Sequence, residues 1–143
     1  MSLPEQAVKT FSGGLNCTQA VLSVFCERFG LERQQALRLA TGFGGGIGMG
    51  GDICGAVSGA IMALGLKYGI CEPDKEAKAR MYRLTGALKE EFSRRAGSIL
   101  CRDLLGFDLS TAEGREKMKA PGSFDCCNDF VRIAAEITEE MLQ

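Results

Sequence analysis

The sequence predicts an all-α protein. The expectation is one compact domain over residues 1–143, a bundle of six to eight helices around a glycine-rich loop and an apolar central helix. Three observations lead there. Apolar residues recur at intervals of three and four through most of the chain. No segment alternates with period two, so no strand is expected. Glycine, proline and capping side chains punctuate the chain at helix-length spacing. At 143 residues and 45% hydrophobic, the chain has core enough to fold without metal.

Pro4 to Phe11 reads as a first helix, with Ala7, Val8 and Phe11 on one face and Gly13-Gly14 ending it. Asn16 is placed to cap a second helix that begins at Cys17. Gln19, three positions on, completes a capping box. Ala20, Val21, Val24 and Phe25 form its stripe, and Gly30 stops it. Leu31 to Ala40 is a third helix, with Ala36, Leu37, Leu39 and Ala40 expected to face inward. A glycine loop follows, GFGGGIGMGG from Gly42 to Gly51. The central helix, Ile53 to about Tyr68, is expected to take Asp52 as its cap, which puts Cys54 in the first turn. Gly55, Ala56, Gly59, Ala60 and Ala63 give that helix a smooth face suited to close packing.

Pro73-Asp74 opens the longest helix, Lys75 to about Ala96, with Ala77, Met81, Leu84, Leu88 and Phe92 on its buried face. Its basic residues, Lys75, Lys78, Arg80, Arg83, Arg94 and Arg95, are mixed with acids and read as a solvated face. Gly97 closes it, and Ser98 is expected to cap a turn in which Cys101 is the third residue. Ser110 and Glu113 suggest a capping box for a short helix. Ser123 is expected to cap the last helix, Phe124 to Met141, with Cys126 and Cys127 as its third and fourth residues. Its stripe is Cys127, Phe130, Val131, Ala134 and Ile137.

Composition excludes several function classes. Net charge is −1 with both signs interspersed, which points away from nucleic acid and acidic lipid. The first ten residues, MSLPEQAVKT, are polar. The most apolar run, Ile53 to Leu66, falls short of the ~20 residues that span a bilayer. The expected location is therefore the cytoplasm, with no membrane partner. The chain has no histidine, which removes Cys-His and Ser-His-Asp catalysis, histidine-ligated haem and mixed Cys/His zinc sites. Seven cysteines in a reducing compartment point to thiol chemistry or metal rather than a disulfide framework. Gly46-x-Gly48-x-x-Gly51 matches the dinucleotide fingerprint in letters, but it follows a helix and no βαβ unit surrounds it.

The cysteines divide by position. Cys17, Cys54, Cys101 and the Cys126-Cys127 pair fall in first turns. There, exposed amides and the helix dipole favour a thiolate by about 0.3–1 kcal/mol. Cys26 and Cys71 lie towards C-terminal ends and read as small buried hydrophobes. Of the adjacent pair, one is expected inside and one outside. Four helix starts aimed at one point would hold a polynuclear thiolate site or poise a dithiol for exchange. The loop glycines Gly44, Gly45, Gly46, Gly48, Gly50 and Gly51 would bring backbone amides to that point.

These residues carry a resemblance. Cys17 within LNCTQAVL, the loop GFGGGIG, Cys54-Gly55-Ala56-Val57-Ser58-Gly59, Cys101 within GSILCRDLLG and Cys127 within CNDFVRIAAEI occur in that order. They resemble the redox-active family named for its own signature: one cysteine, a Cys-Gly-Ala-x-x-Gly motif, then two single cysteines. The likeness spans roughly residues 14 to 137. It implies a small redox protein of anaerobic bacteria or archaea, related to the non-haem region of split-Soret cytochromes, where an iron–sulfur cluster is implied. This chain has no Cys-x-x-Cys-His haem attachment. Asn128 stands where the family's proline follows the last cysteine, and Cys126 leaves open which of the pair is the fourth site residue.

Three readings follow. In the first, an electron carrier ligates an iron–sulfur cluster through Cys17, Cys54, Cys101 and Cys127, with loop amides hydrogen-bonding cluster sulfur. In the second, the same four act as redox thiols, Cys54 attacking as a thiolate and another resolving. In the third, the four hold a structural zinc. A redox partner protein is expected for the first two. The plentiful apolar residues would also suit a homodimer.

Overall fold

The computed structural model describes residues 1–143 and contains eight α-helices. They are α1 (Leu3–Ser12), α2 (Cys17–Ser23), α3 (Arg33–Ala40), α4 (Gly55–Tyr68), α5 (Lys75–Ala96), α6 (Cys101–Leu105), α7 (Ala112–Lys117) and α8 (Cys127–Met141). Short 3-10 turns cover Glu27–Phe29 and Thr41–Phe43. There is no strand, only an isolated antiparallel bridge between Ile53 and Leu100. No helix is long and apolar enough to cross a membrane.

Helix α4 is the centre. It packs on α2, α5 and α8, and Ala56, Val57, Ala60, Ala63 and Leu64 are fully buried. Its closest neighbour is α2, and glycine permits the approach. A Cβ at Gly55 would stand 2.6 Å from Thr18 Oγ1, and one at Gly59 would stand 2.7 Å from the Thr18 carbonyl oxygen. The smooth face read from the sequence is thus a backbone-to-backbone contact. Tyr68 Oη and Lys67 Nζ at the far end donate to the carbonyls of Met141 and Leu142, at 3.1 and 2.8 Å. These bonds fasten α4 to the end of α8.

The caps explain most boundaries. Asn16 and Gln19 form the expected box, each side chain bonding the other's amide at 2.9 Å. Gln19 Nε2 also donates to the Leu37 carbonyl, and Asn16 Nδ2 to that of Thr41, so the start of α2 is tied to the end of α3. Asp74 caps α5 through the Ala77 amide, and Gly97 ends it at φ 105°.

Several expected boundaries shift. Helix α2 ends at Ser23, not near Gly30, because Phe25 and Phe29 already take i→i−3 bonds and the chain tightens. Asp52 does not cap α4: its carboxylate reaches Arg102 at 3.7 Å, and Cys54 itself occupies the cap position. Ser98 bonds the Leu100 amide in a turn, so Cys101 is the first residue of α6. Thr111, not Ser110, caps α7, because Ser110 is held by Asp108. Ser123 donates to the Met118 carbonyl, and turns run through to Cys126, so α8 starts at Cys127. Leu39 lies off the Ala36–Leu37–Ala40 stripe and is 63% exposed. On α5 the basic face is solvated except at Arg95, which is partly buried among Glu91, Glu136 and Glu140.

The contact between α2 and α4 makes a prediction. Gly59→Ala should destabilise the fold by about 1–3 kcal/mol through overpacking against Thr18. Gly86→Ala, in open space on α5, should stabilise it by about 0.5–1 kcal/mol. Urea denaturation of both variants measures this, and shifts of the same sign would contradict the close approach.

Candidate functional site

Cys17, Cys54, Cys101 and Cys127 line one cavity of about 590 Å³. Each stands at a helix start. Cys17, Cys101 and Cys127 are the first residues of α2, α6 and α8, and Cys54 is the residue before α4. The capping box sets Cys17. Cys54 and Cys101 are set together by the bridge. The Cys54 amide donates to the Ile99 carbonyl and the Cys101 amide to the Asp52 carbonyl, both at 2.7 Å. The Arg102 amide donates to the Gly51 carbonyl at 3.2 Å, extending the clamp by one bond. Two glycines leave room for the sulfur-bearing carbons. A Cβ at Gly55 would lie 3.2 Å from Cys17 Cβ, and one at Gly46 would lie 2.8 Å from Cys101 Cβ.

The glycine loop forms the next wall. Residues 45 to 49 all have φ between 58° and 74°, a left-handed run that includes Ile47 and Met49. That region is costly for residues with a side chain, most of all a β-branched one. Long-reach bonds hold it: Gly48 to Gly42, Met49 to Gly44, Gly51 to Gly45 and Asp52 to Gly46, amide to carbonyl, at 2.8–3.1 Å. These bonds correct the expectation that the whole loop offers amides. The amides of residues 47 to 52 are consumed inside it. Only Gly45 and Gly46 both line the cavity and keep amides with no acceptor in the chain. Gly44, Gly48, Gly50 and Gly51 shape the loop instead. Gly44 lets the Asn16 side chain in, and Gly51 meets Asp108 and Arg102. The other walls are mostly apolar, with Phe11, Leu104, Leu105, Phe124 and Phe130.

Burial sets the acidity of the thiols. It pushes Cys54 up to about 12, although the amides of Ala56 and Val57 pull the other way. It pushes Cys101 up to about 11, with Cys127 and Cys126 adding to the rise. Cys127 is raised by the Cys17 thiol beside it and then by burial. The expectation that the helix start makes Cys54 a ready thiolate is therefore overturned: desolvation outweighs the dipole. The seven cysteines are free thiols. No three cysteine or carboxylate side chains stand at a spacing that grips a single metal ion.

The remaining cysteines sort themselves. Cys26 is fully buried, its thiol pointing to the Ser23 carbonyl at 3.5 Å, as expected. Cys71 is exposed, contrary to its reading as a buried hydrophobe. Of the adjacent pair, Cys127 is inside on the cavity wall and Cys126 outside. The sequence reading missed Met49, which joins the cavity wall, and the orphaned Thr18 Oγ1, buried next to Cys17. Met49 had a signal, since a residue between closely spaced glycines inherits their backbone; Thr18 had none.

No curated protein and no solved structure matches the chain. One family model does, described as "Putative redox-active protein (C_GCAxxG_C_C)", and it covers residues 15–141. That range includes all four cavity cysteines and nearly every helix that positions them, and the chain belongs to this redox-active cysteine family.

Proposed function

We propose that this protein is an electron carrier that holds an iron–sulfur cluster through Cys17, Cys54, Cys101 and Cys127. The supporting observation is that four cysteines from four different helices border one largely apolar cavity. The site fits such a group on three further counts. Gly45 and Gly46 present two amides without acceptors, suited to hydrogen-bonding cluster sulfur. A Cβ at Gly46 would close the gap to Cys101. The four thiols border a cavity of about 590 Å³, far more room than one ion needs, which suits a polynuclear group.

The acidity argument agrees. Neutral, buried thiols are poor nucleophiles, and metal binding removes their protons. When bound, an iron–sulfur cluster supplies one-electron redox chemistry at a potential set by ligands, hydrogen bonds and solvent access. Here the four cysteines would orient and anchor it. The two amides would stabilise its negative charge, and Phe11, Leu104 and Phe130 would keep water away. The electron partner would be a protein docking near the cavity mouth.

Anaerobic reconstitution with iron and sulfide, followed by metal and sulfide analysis and a visible spectrum, tests this. A brown protein with sulfide matching iron is expected. Serine at any one of the four cysteines should cut bound iron and sulfide by more than half, and Cys71→Ser should leave both unchanged. A colourless product, or zinc without sulfide, would overturn the proposal.

Acidity can be read separately on metal-free protein. A thiol with a pKa near 12 holds about a thousandfold less thiolate at pH 8 than a free one. Cys54 should therefore resist iodoacetamide at pH 8 while exposed Cys71 reacts, with Cys54 labelling rising as the pH rises towards 12. Mass mapping that finds the two labelled at one rate would contradict the burial account.

A further inference from the structure

The cavity is larger than its cysteines require. It measures about 590 Å³, within the ~300–1,000 Å³ of small-molecule sites. An iron–sulfur cluster brings at most about eight iron and sulfide atoms. At about 30 Å³ each, the share of one water molecule, they fill less than half of that space. The rest has room for about a dozen further non-hydrogen atoms. The walls that the cysteines leave uncovered are apolar. Leu15, Leu105, Met118 and Phe124 are half-buried on the cavity wall, and they neither belong to the main core nor pack against it. Filling the cavity would take more of their surface out of water. Phe11 and Phe130 add two rings to the same walls. No lysine or arginine lines the cavity, and its one charged side chain is Asp125.

Met118 and Phe124 reach the cavity on a strap. Residues 107 to 125 make no hydrogen bond and no ion pair with any residue outside 108–128. Helix α7 lies in the middle of this segment, and Leu109 is its one fully buried large side chain. The strap is fastened at its two ends and through Leu109. It can lift from the cavity without breaking a hydrogen bond to the rest of the fold. We propose that the cavity binds a small, neutral, largely apolar molecule that carries an aromatic ring, seated beneath this strap. The walls set that class. Three phenylalanine rings offer edge-to-face and offset contacts. An anion would leave water with no cationic side chain to meet it, beside the Asp125 carboxylate. The proposal goes beyond the cluster assignment and does not rest on it, because it is built on the apolar walls rather than on the sulfurs.

The test is a titration of full-length, metal-free protein, kept reduced, with β-naphthylmethanol, read by calorimetry and by amide hydrogen exchange. One molecule should bind per chain. Exchange across residues 107–125 should slow by about threefold or more on saturation, while that of α5 stays unchanged. Phe124→Ala should weaken binding by about tenfold, the loss expected when a ring contact is removed. Phe124 lies off the core, so this variant should fold. Met118→Ser is a second strap variant and should weaken binding by about threefold. Tyr82→Ala, at an exposed ring on α5, should leave it unchanged. β-Naphthoate, the same ring with a carboxylate, should bind about fivefold more weakly. The proposal is overturned by the absence of saturable binding, by equal losses in Phe124→Ala and Tyr82→Ala, or by naphthoate binding as tightly as the alcohol. A colourless reconstituted protein would leave it standing, and a brown one would not rescue it.

Discussion

The site depends on a single backbone bridge. Ile53 and Leu100 pair in antiparallel fashion, and the bonds on either side belong to Cys54 and Cys101. Without this pairing, residues 47 positions apart along an otherwise helical chain would have no reason to share a cavity. The two bonds are short, at 2.7 Å, and they fix main-chain atoms rather than flexible side chains. Each cysteine therefore has little freedom beyond its own χ1. The bridge also explains why α4 and α6 begin where they do. Extended backbone at 53 and 100 must end before helical dihedrals begin, and the next residues are Cys54 and Cys101.

Around that bridge, close packing does the rest. Gly55 and Gly59 let α2 settle onto α4 with Thr18 against the glycines, which brings Cys17 to the edge of Cys54's helix. α8 lies across both, and its last carbonyls are caught by Lys67 and Tyr68. The four helix starts converge because the small-residue face of α4 admits neighbours that larger side chains would hold apart. Burial and convergence then act together on the thiols. The same enclosure that gathers them suppresses their ionisation.

Much of this was legible in the sequence, and the limits have physical causes. The capping box at Asn16 and Gln19 was readable because both partners are local. So was the smooth face of α4, because residue size alone defines it. The cap at Asp52 was misread: its side chain is drawn to Arg102, fifty residues on, and no local pattern announces that. The starts of α6, α7 and α8 shifted for a similar reason, since serines at 98, 110 and 123 found partners other than the helix amides. The acidity of Cys54 was misjudged because the dipole is a local property and burial is a global one. The bridge itself, one residue long on each side, leaves no periodic trace.

The left-handed wall has a consequence for recognition. Ile47 and Met49 hold a conformation that isolated residues avoid, at about 1–2 kcal/mol each, and they do so because carbonyls at 42, 44, 45 and 46 are already engaged. Such a segment has few alternative shapes to visit. The unclaimed amides at 45 and 46 are consequently held on the cavity wall by a loop with little freedom, so a guest that bonded them would cost it little ordering entropy.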